Sequence, residues 1–331
     1  MNTPTFLSWD EHHPNQELQQ LAGPEKDVHV LDRTSVDAIN VALAAQRPLL
    51  VRGEPGCGKS QLARAAAAGL GRAFRSKVID ARTESRDLHY SFDAVARLAQ
   101  AQLLGATGAA GAVGWRDELG EERFTSPGPL WWAFDWTSAR DQEELLRNQG
   151  RATGPPAPGL SYGGDPEKGF VVLLDEIDKA DPSVPNGLLE SLGERRFPVP
   201  GGGEVRATGP APLVVLTTNE ERALPDPFLR RCLVLHLQLP EDETLLRQEL
   251  VRRGRARFPG LSEAVLEEVA RQLAADRRKL RSREGVPPGG AEYLDLLRAL
   301  AYLAETEAEQ LGMLDRIKPF ALDKQPRERG R

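Results

Sequence analysis

The sequence has few cysteines, no long apolar run and no excess of positive charge. Its two cysteines, Cys57 and Cys232, lie far apart and outside any CxxC pattern, so their spacing indicates neither a disulfide framework nor a zinc site. No apolar run reaches the roughly 20 residues of a membrane-spanning helix. The N-terminal stretch MNTPTFLSWDEHHPN lacks the basic start and apolar segment of a secretory signal. We therefore expect a cytoplasmic chain with no membrane partner.

The charge balance also argues against a polyanionic partner. The sequence has 43 Lys and Arg against 49 Asp and Glu, a net charge of -6, so general attraction to nucleic acid is not indicated. Arg252, Arg253, Arg255 and Arg257 lie close together, but no aromatic residues are interleaved with them. We interpret these arginines as a solvated helix end and expect no nucleic-acid partner.

Short apolar runs, separated by helical or loop sequence, characterise the first 240 residues. They predict strands at 48–51, 77–79, 170–174, 213–216 and 233–237. Runs that are short and almost wholly apolar are typical of parallel strands buried on both faces. The sequence therefore predicts an α/β domain, a parallel sheet with helices on both faces, over residues 1–240.

The sequence changes to charged helices after Pro240. Ser262 is a predicted N-cap, with Leu261 and Leu266 placed as a hydrophobic staple around it. We expect a small all-helical domain over residues 241–322 and a disordered tail over 323–331.

A glycine-rich octapeptide, GEPGCGKS at residues 53–60, follows the first predicted strand and matches G-x-x-x-x-G-K-[ST]. Its glycines let backbone N–H groups turn towards phosphate oxygens, and the helix that opens there adds its own N-terminal N–H groups. Lys59 would reach the terminal phosphates of ATP, and the Ser60 hydroxyl would coordinate Mg²⁺. We assign nucleotide binding to this loop and the residue after it: Gly53, Glu54, Pro55, Gly56, Cys57, Gly58, Lys59, Ser60 and Gln61.

Two carboxylates follow the apolar run 171–174. Asp175 would hold Mg²⁺ beside the nucleotide, and Glu176 would polarise the water that attacks the terminal phosphate. Ligands of open α/β sheets bind at this end of the strands. The alternative is a strand that ends in two solvated acids. A small-molecule kinase needs no second acid to activate water, so the pair favours hydrolysis.

Polar residues at two later positions extend this pattern. An amide at Asn219 would hold the attacking water, although T-T-N after a strand is also a common turn or helix cap. Arg230 and Arg231 precede the last predicted strand, and a guanidinium group donates two parallel hydrogen bonds to a phosphate. Either arginine would then complete a neighbouring subunit's site as an arginine finger. The alternative for this pair is an ordinary surface salt bridge.

These four motifs, in this order and followed by a helical domain, resemble the AAA+ superfamily, and more closely its MoxR-like, dynein-related group. The D-L-x-x-x-F-D stretch and the P-G-P-L segment point to MoxR-like relatives. The segments that carry the resemblance span about residues 33–300: PLLVRGEPGCGKSQLARAAA, RDLHYSFDAVARLAQAQ, PGPLWWAF, VVLLDEIDKADPSVPNGLLESLGERRFPV, VVLTTNEERALPDPFLRRC and GGAEYLDLLRAL.

The resemblance implies a P-loop NTPase fold with a five-stranded parallel sheet, a helical lid and a homo-oligomeric ring, usually a hexamer. It implies Walker A roles for Lys59 and Ser60, Walker B roles for Asp175 and Glu176, and the sensor 1 role for Asn219. It also implies an insert at about 86–130 and a hairpin at about 197–206, both facing the pore of the ring.

One position departs from the family pattern. Many relatives carry a sensor 2 arginine near the start of a late lid helix, where this sequence has Glu292. Arg281 or Arg283 would substitute for it, or the role is absent.

The leading hypothesis is an Mg-ATP hydrolysing protein remodeller that acts on a client protein together with a partner carrying a von Willebrand factor A domain. One alternative is a nucleic-acid-associated or restriction-system AAA+ motor, which DNA or RNA would stimulate. Another is an ATP-gated assembly switch with little turnover.

Overall fold

The computed structural model describes residues 6–9, 17–19, 28–107, 115–150, 164–281 and 287–322. Two compact units interleave along the chain. The first, here the sheet unit, comprises Thr34–Val51 and Ala66–Leu235 with the first few residues. The second, here the helical unit, comprises Trp9–Arg33, Arg52–Ala65 and the chain from His236 onward.

The strands of the described residues are short, except for one of eleven residues. They are β1 (Glu17–Gln19), β2 (Val28–Val30), β3 (Leu49–Arg52), β4 (Arg72–Val78), β5 (Tyr90–Phe92), β6 (Thr125–Pro127), β7 (Asp165–Asp175), β8 (Arg196–Val199), β9 (Gly203–Arg206), β10 (Leu213–Thr218) and β11 (Leu233–His236).

The longer helices of the described residues lie towards the end of the chain. The α-helices are α1 (Arg33–Ala45), α2 (Lys59–Leu70), α3 (Ala94–Ala106), α4 (Trp115–Glu118), α5 (Pro129–Phe134), α6 (Trp136–Asn148), α7 (Ser183–Glu194), α8 (Asp226–Leu229), α9 (Glu243–Arg257), α10 (Glu263–Arg281), α11 (Gly290–Leu303) and α12 (Glu307–Leu322). Three 3-10 turns, at Ser85–Leu88, Glu121–Phe124 and Ile177–Lys179, complete the regular structure of these residues.

A five-stranded parallel sheet with flanking helices forms the centre of the sheet unit, in the order β11-β3-β10-β7-β4. The central strand β10 runs parallel to β7, with Leu213 opposite Val171 and Leu216 opposite Leu174. Strand β10 is buried along its whole length, as expected for a strand covered on both faces. The predicted fold class, an α/β fold with a five-stranded parallel sheet followed by helices, is confirmed.

Strand β4 begins earlier than its sequence predicts. The prediction covered residues 77–79, whereas β4 starts at Arg72 and ends at Val78. Two arginines interrupt the apolar pattern of this strand, and each has a partner that is distant in the chain. Arg72 is buried and donates to the carbonyl of Ala211 (3.0 Å), and the guanidinium of Arg75 lies 4.4 Å from the ring centre of Trp132. The prediction was wrong at this boundary because residues 72–76 do not form the uninterrupted apolar run by which the other strands were predicted.

The core of the sheet unit combines sheet residues with the short helix α5. Leu130, Trp131, Trp132 and Phe134 of α5 are all buried in one cluster with Val172 and Leu174 of β7 and with Val214 and Leu216 of β10. This packing excludes water from one face of the sheet, so the polar groups at the ends of the strands are held on a rigid base.

Two small antiparallel sheets lie beside this core. Strand β5 pairs with β6, and β8 pairs with β9 in a hairpin where Phe197 faces Val205. The ring of His89, just before β5, stacks on Phe197 at 4.3 Å. His89 Nε2 also lies 2.6 Å from the hydroxyl oxygen of Ser191 in α7. Burial lowers the pKa of His89 to about 4, so its imidazole is neutral at pH 7.

Helices α9 to α12 form the core of the helical unit, with Leu250, Val269 and Leu297 among its buried residues. The Ser262 hydroxyl accepts from the N–H of Val265 (3.4 Å), which confirms Ser262 as the N-cap of α10. The predicted tail 323–331 lies outside the described residues, as does the centre of the predicted insert, residues 108–114.

Within the described part of the chain, no helix combines the length and the apolar character needed to cross a membrane.

Candidate active site

The phosphate loop, Gly53–Ser60, belongs to the helical unit and follows β3 in the chain. Its backbone has positive φ at Gly56 (+75°) and Gly58 (+105°). A Cβ at Gly56 would lie 2.9 Å from the Cβ of Ala291, and one at Gly58 would lie 3.1 Å from Cε1 of His29. Only glycine fits these two positions, in conformation and in space. The result is a narrow turn at the start of α2.

Lys59 begins α2 and is almost wholly buried, with 8% of its surface exposed. Its ammonium group donates to the carbonyls of Gly53 (2.8 Å) and Glu54 (3.0 Å), so it lies inside the curve of the loop. Ser60 and Gln61 follow on the first turn of α2 and are half-buried. A buried cation within a turn of N–H groups is suited to bind a polyphosphate.

The other side chains of the loop differ in exposure. Pro55 is exposed, Glu54 is half-buried, and Cys57 is 2% exposed. Burial raises the pKa of the Cys57 thiol, so this residue is a neutral packing group rather than a nucleophile.

Two arginines of the helical unit contact the loop. Arg253 of α9 donates to the carbonyl of Cys57 (3.1 Å) and to Glu249 (2.7 Å), and buried Arg277 of α10 donates to the Glu54 carboxylate. The interpretation of the arginines near 255 as a solvated helix end is therefore wrong for Arg253. It is also wrong for half-buried Arg252, which pairs with Glu249 at 2.7 Å.

The Walker B carboxylates belong to the sheet unit, where Asp175 is the last residue of β7. Glu176 follows in the left-handed conformation (φ 63°, ψ 47°), which is uncommon for a residue with a side chain. The buried Thr217 hydroxyl accepts from the N–H of Glu176 (2.9 Å) and donates to the Asp175 carboxylate. Thr217 thus fixes the turn that separates the two acids. No sequence pattern predicted this role.

The Glu176 carboxylate has two partners in the same unit. Asn219 Nδ2 donates to its Oε1 (3.4 Å), and Lys179 Nζ donates to its Oε2 (2.8 Å). The structure therefore brings Asp175, Glu176 and Asn219 together at the ends of β7 and β10. Hydrogen bonding to Glu176 raises the pKa of Lys179. A carboxylate oriented in this way can accept a proton from a water molecule.

The segment with Arg230 and Arg231 lies between α8 and β11, and both side chains are exposed. Its backbone is fixed by Arg47, whose guanidinium donates to the carbonyls of Arg230, Arg231 (3.0 Å) and Cys232 (3.2 Å). No contact among the described residues brings either arginine to the Walker B carboxylates. Both instead extend from a rigid base.

Glu292 caps its own helix, because its carboxylate accepts from the N–H of Gly289 (2.9 Å) at the start of α11. The side chain of Arg281 and the whole of Arg283, the two alternative sensor 2 residues, lie outside the described part of the structure.

The residues present fit a nucleotide with magnesium. The loop offers a glycine-only turn and a buried lysine, and the assigned metal ligands are the Ser60 hydroxyl and the Asp175 carboxylate. Both are oxygen ligands of the kind that Mg²⁺ prefers.

A family model matches the chain: the AAA domain of the dynein-related subfamily covers residues 48–254, more than half of the 331 residues. The chain belongs to this family of AAA+ ATPases. Among solved structures, it is similar to a point mutant of Thermotoga maritima RuvB, at 14% identity and a TM-score of 0.38. That similarity covers 81% of this chain and 69% of the RuvB chain. No curated protein matches the sequence.

Proposed function

We propose that this protein hydrolyses ATP to ADP and phosphate with Mg²⁺ and uses the energy to remodel a client protein. One observation carries the hydrolytic part: Glu176 stands directly after Asp175, held by Thr217 through its backbone and by Asn219 through its side chain. A phosphate-binding loop alone would serve a kinase or a switch equally well. An oriented second carboxylate is what activation of water requires.

Each group has a separate task in this proposal. The N–H groups of the phosphate loop and the Lys59 ammonium bind the triphosphate. Ser60 and Asp175 hold Mg²⁺, which neutralises charge on the phosphate oxygens when bound. Glu176 accepts a proton from the attacking water, and the Asn219 amide orients that water.

The exchange of Glu176 for Gln tests the hydrolytic role. The amide keeps the size and the hydrogen bond from Asn219 but does not accept a proton, so turnover should fall about a hundredfold or more while ATP remains bound. Steady-state phosphate release and calorimetric nucleotide titration measure the two quantities. Glu190→Gln, at an exposed position of α7, is the matched control and should retain wild-type turnover.

Three results would contradict the proposal. Unchanged turnover in Glu176→Gln would remove this residue from the reaction. A wild-type protein that binds ATP without releasing phosphate would instead be an assembly switch. Stimulation of turnover by DNA or RNA would favour a nucleic-acid motor.

The remodelling role rests on the MoxR-like segments RDLHYSFDAVARLAQAQ and PGPLWWAF. We propose a homo-oligomeric ring, a hexamer as is usual in the superfamily, with an α/β nucleotide domain over residues 1–240 and a lid over 241–322. Arg230 or Arg231 would complete the site of the neighbouring subunit. A partner with a von Willebrand factor A domain would supply the contact to the client.

A further inference from the structure

A buried guanidinium group from helix α10 touches the phosphate loop. Arg277, near the end of α10, exposes only 4% of its side chain. It donates to the carbonyl of Pro288 (3.0 Å) and to the carboxylate of Glu54, the second residue of the loop. An arginine keeps its charge at every working pH, so burying one is costly unless acceptors, best of all an anion, pair with it. Glu54 is that anion.

Glu54 carries a negative charge in the loop where negatively charged phosphates would bind. It is part of the loop that we propose binds a triphosphate, and 42% of its side chain is exposed. A free carboxylate there would repel the phosphates, because like charges a few ångströms apart interact strongly outside bulk water. The Arg277 guanidinium compensates this charge and directs the carboxylate towards α10.

The second bond of Arg277 connects the loop to the start of α11. Pro288 precedes Gly289 and Gly290, and a Cβ on either glycine would lie 3.2 Å from a loop carbonyl, that of Pro55 or Gly56. The backbone before α11 therefore lies close against the loop. One guanidinium group holds both sides of this contact, the Glu54 side chain and the Pro288 carbonyl.

On this basis we propose that Arg277 is a positioning residue for ATP binding, acting through Glu54. It fixes the shape of the phosphate loop against the helical unit and cancels the negative charge of Glu54. This inference rests on the proposed function, since it concerns affinity for the same nucleotide. In this proposal, the ion pair between Arg277 of α10 and Glu54 couples the loop to the lid. The start of α11 does not provide this coupling, because Glu292 there caps its own helix.

The test measures the Kd of Mg-ADP and Mg-ATP by calorimetry in the full-length protein. Arg277→Met should raise both values about tenfold, the factor that corresponds to the loss of one charged hydrogen bond. The double variant Arg277→Met with Glu54→Gln should recover most of that loss, because the uncompensated carboxylate is then absent. A merely structural role for Arg277 would give no such rescue.

Arg278→Met is the matched control, since Arg278 is the next residue of α10, is exposed and pairs with Glu243 at 2.8 Å. Its nucleotide affinity should stay within about twofold of the wild type, as for exposed ion pairs in general. Thermal unfolding shows whether each variant folds. Should Arg277→Met not fold, Arg277→Lys decides the question. It keeps the charge but loses the fork of donors, so an affinity about threefold weaker is expected.

Unchanged affinity in the folded Arg277 variant, or a loss that Glu54→Gln does not reverse, would overturn the inference. Failure of the wild-type protein to bind nucleotide would instead overturn the proposed function, so the two failures are distinguishable.

Discussion

A single hydroxyl group organises the Walker B turn at the scale of residues. Thr217 is wholly buried and uses its oxygen as acceptor for the Glu176 N–H and its hydrogen as donor to Asp175. Glu176 needs this support, since its left-handed backbone is disfavoured for a residue with a Cβ. The orientation of the proposed base is therefore determined from the neighbouring strand β10.

Removal of this hydroxyl gives a direct prediction. Thr217→Val preserves shape but leaves the buried N–H of Glu176 without its acceptor, so the free energy of unfolding should fall by about 1–3 kcal/mol. Turnover should fall about tenfold as the carboxylate loses its orientation. Urea denaturation and phosphate release measure these effects.

Thr218→Val is the control, because Thr218 is also buried and its hydroxyl accepts from the N–H of Glu220 (2.9 Å). We expect a similar loss of stability there with much less loss of turnover. Equal losses of turnover in both variants would mean that Thr217 supports the strand and not the site.

At the scale of elements, the contact between the segment before β5 and the β8–β9 hairpin depends on a neutral imidazole. Ser191 donates its hydroxyl hydrogen to the carbonyl of Gly187 (2.8 Å), so the Ser191 oxygen accepts from His89 Nε2–H. The His89 ring also stacks on Phe197. Protonation of His89 would place a charge among buried rings, which is costly.

The acid stability of the sheet unit should reveal this contact. The His89 pKa is lowered from 6.5 to about 4, so the unfolded chain binds the proton first as the pH falls. The contribution of neutral His89 to the free energy of unfolding is complete above pH 6.5. It is lost between pH 6.5 and 4, at about 1.4 kcal/mol per pH unit at most. The free energy of unfolding, measured by denaturation, should therefore fall between pH 7.5 and pH 4.5 in the wild type. The fall should be about 2 kcal/mol smaller in His89→Gln.

The exposed His236 provides the comparison for this measurement. His236→Gln should leave the difference between the two pH values as it is in the wild type. An equal effect of both variants would show that the titration of His89 is not coupled to folding.

The sequence predicted the elements whose signal is local. The phosphate loop, the Asp175–Glu176 pair and the five sheet strands each depend on a few adjacent residues. The predicted strands are confirmed except at their ends, and β4 and β7 each begin five residues before the predicted start. Contacts between distant residues left no such signal. Arg277 and Glu54 are 223 positions apart, and Arg253 and Cys57 are 196 apart. Their pairing depends on how α9 and α10 pack, which local patterns do not contain.

At the scale of the whole molecule, the exposed pair Arg230 and Arg231 favours a site completed by a second copy of the chain. Arg47 immobilises the backbone beneath them, so their guanidinium groups would extend at a fixed position. Such pre-organisation reduces the entropy that an interface contact costs.

A mixing experiment tests the shared site. If the arginines act on a neighbour, wild-type turnover per chain should rise with protein concentration, and the double variant Arg230→Ala with Arg231→Ala should inhibit the wild type when mixed with it. The effect in a ring should exceed simple dilution, because one defective chain affects its neighbour. Phosphate release at a constant amount of wild-type protein measures this inhibition.

Arg222→Ala, at another exposed arginine, is the control. When mixed with the wild type, it should lower turnover by no more than simple dilution does. Full activity of the wild type as a dilute monomer would contradict sharing between subunits.

Each unit contains one buried thiol whose rate of chemical modification depends on local opening of that unit. Cys57 lies in the helical unit and Cys232 in the sheet unit, and both are buried. Burial raises the pKa of Cys232 to about 11 and that of Cys57 above its ordinary value, so very little of either thiol is ionised at neutral pH. Alkylating reagents react with the ionised form and need access. The rate at which each sulfur is modified therefore records how often its own surroundings open, without any added label.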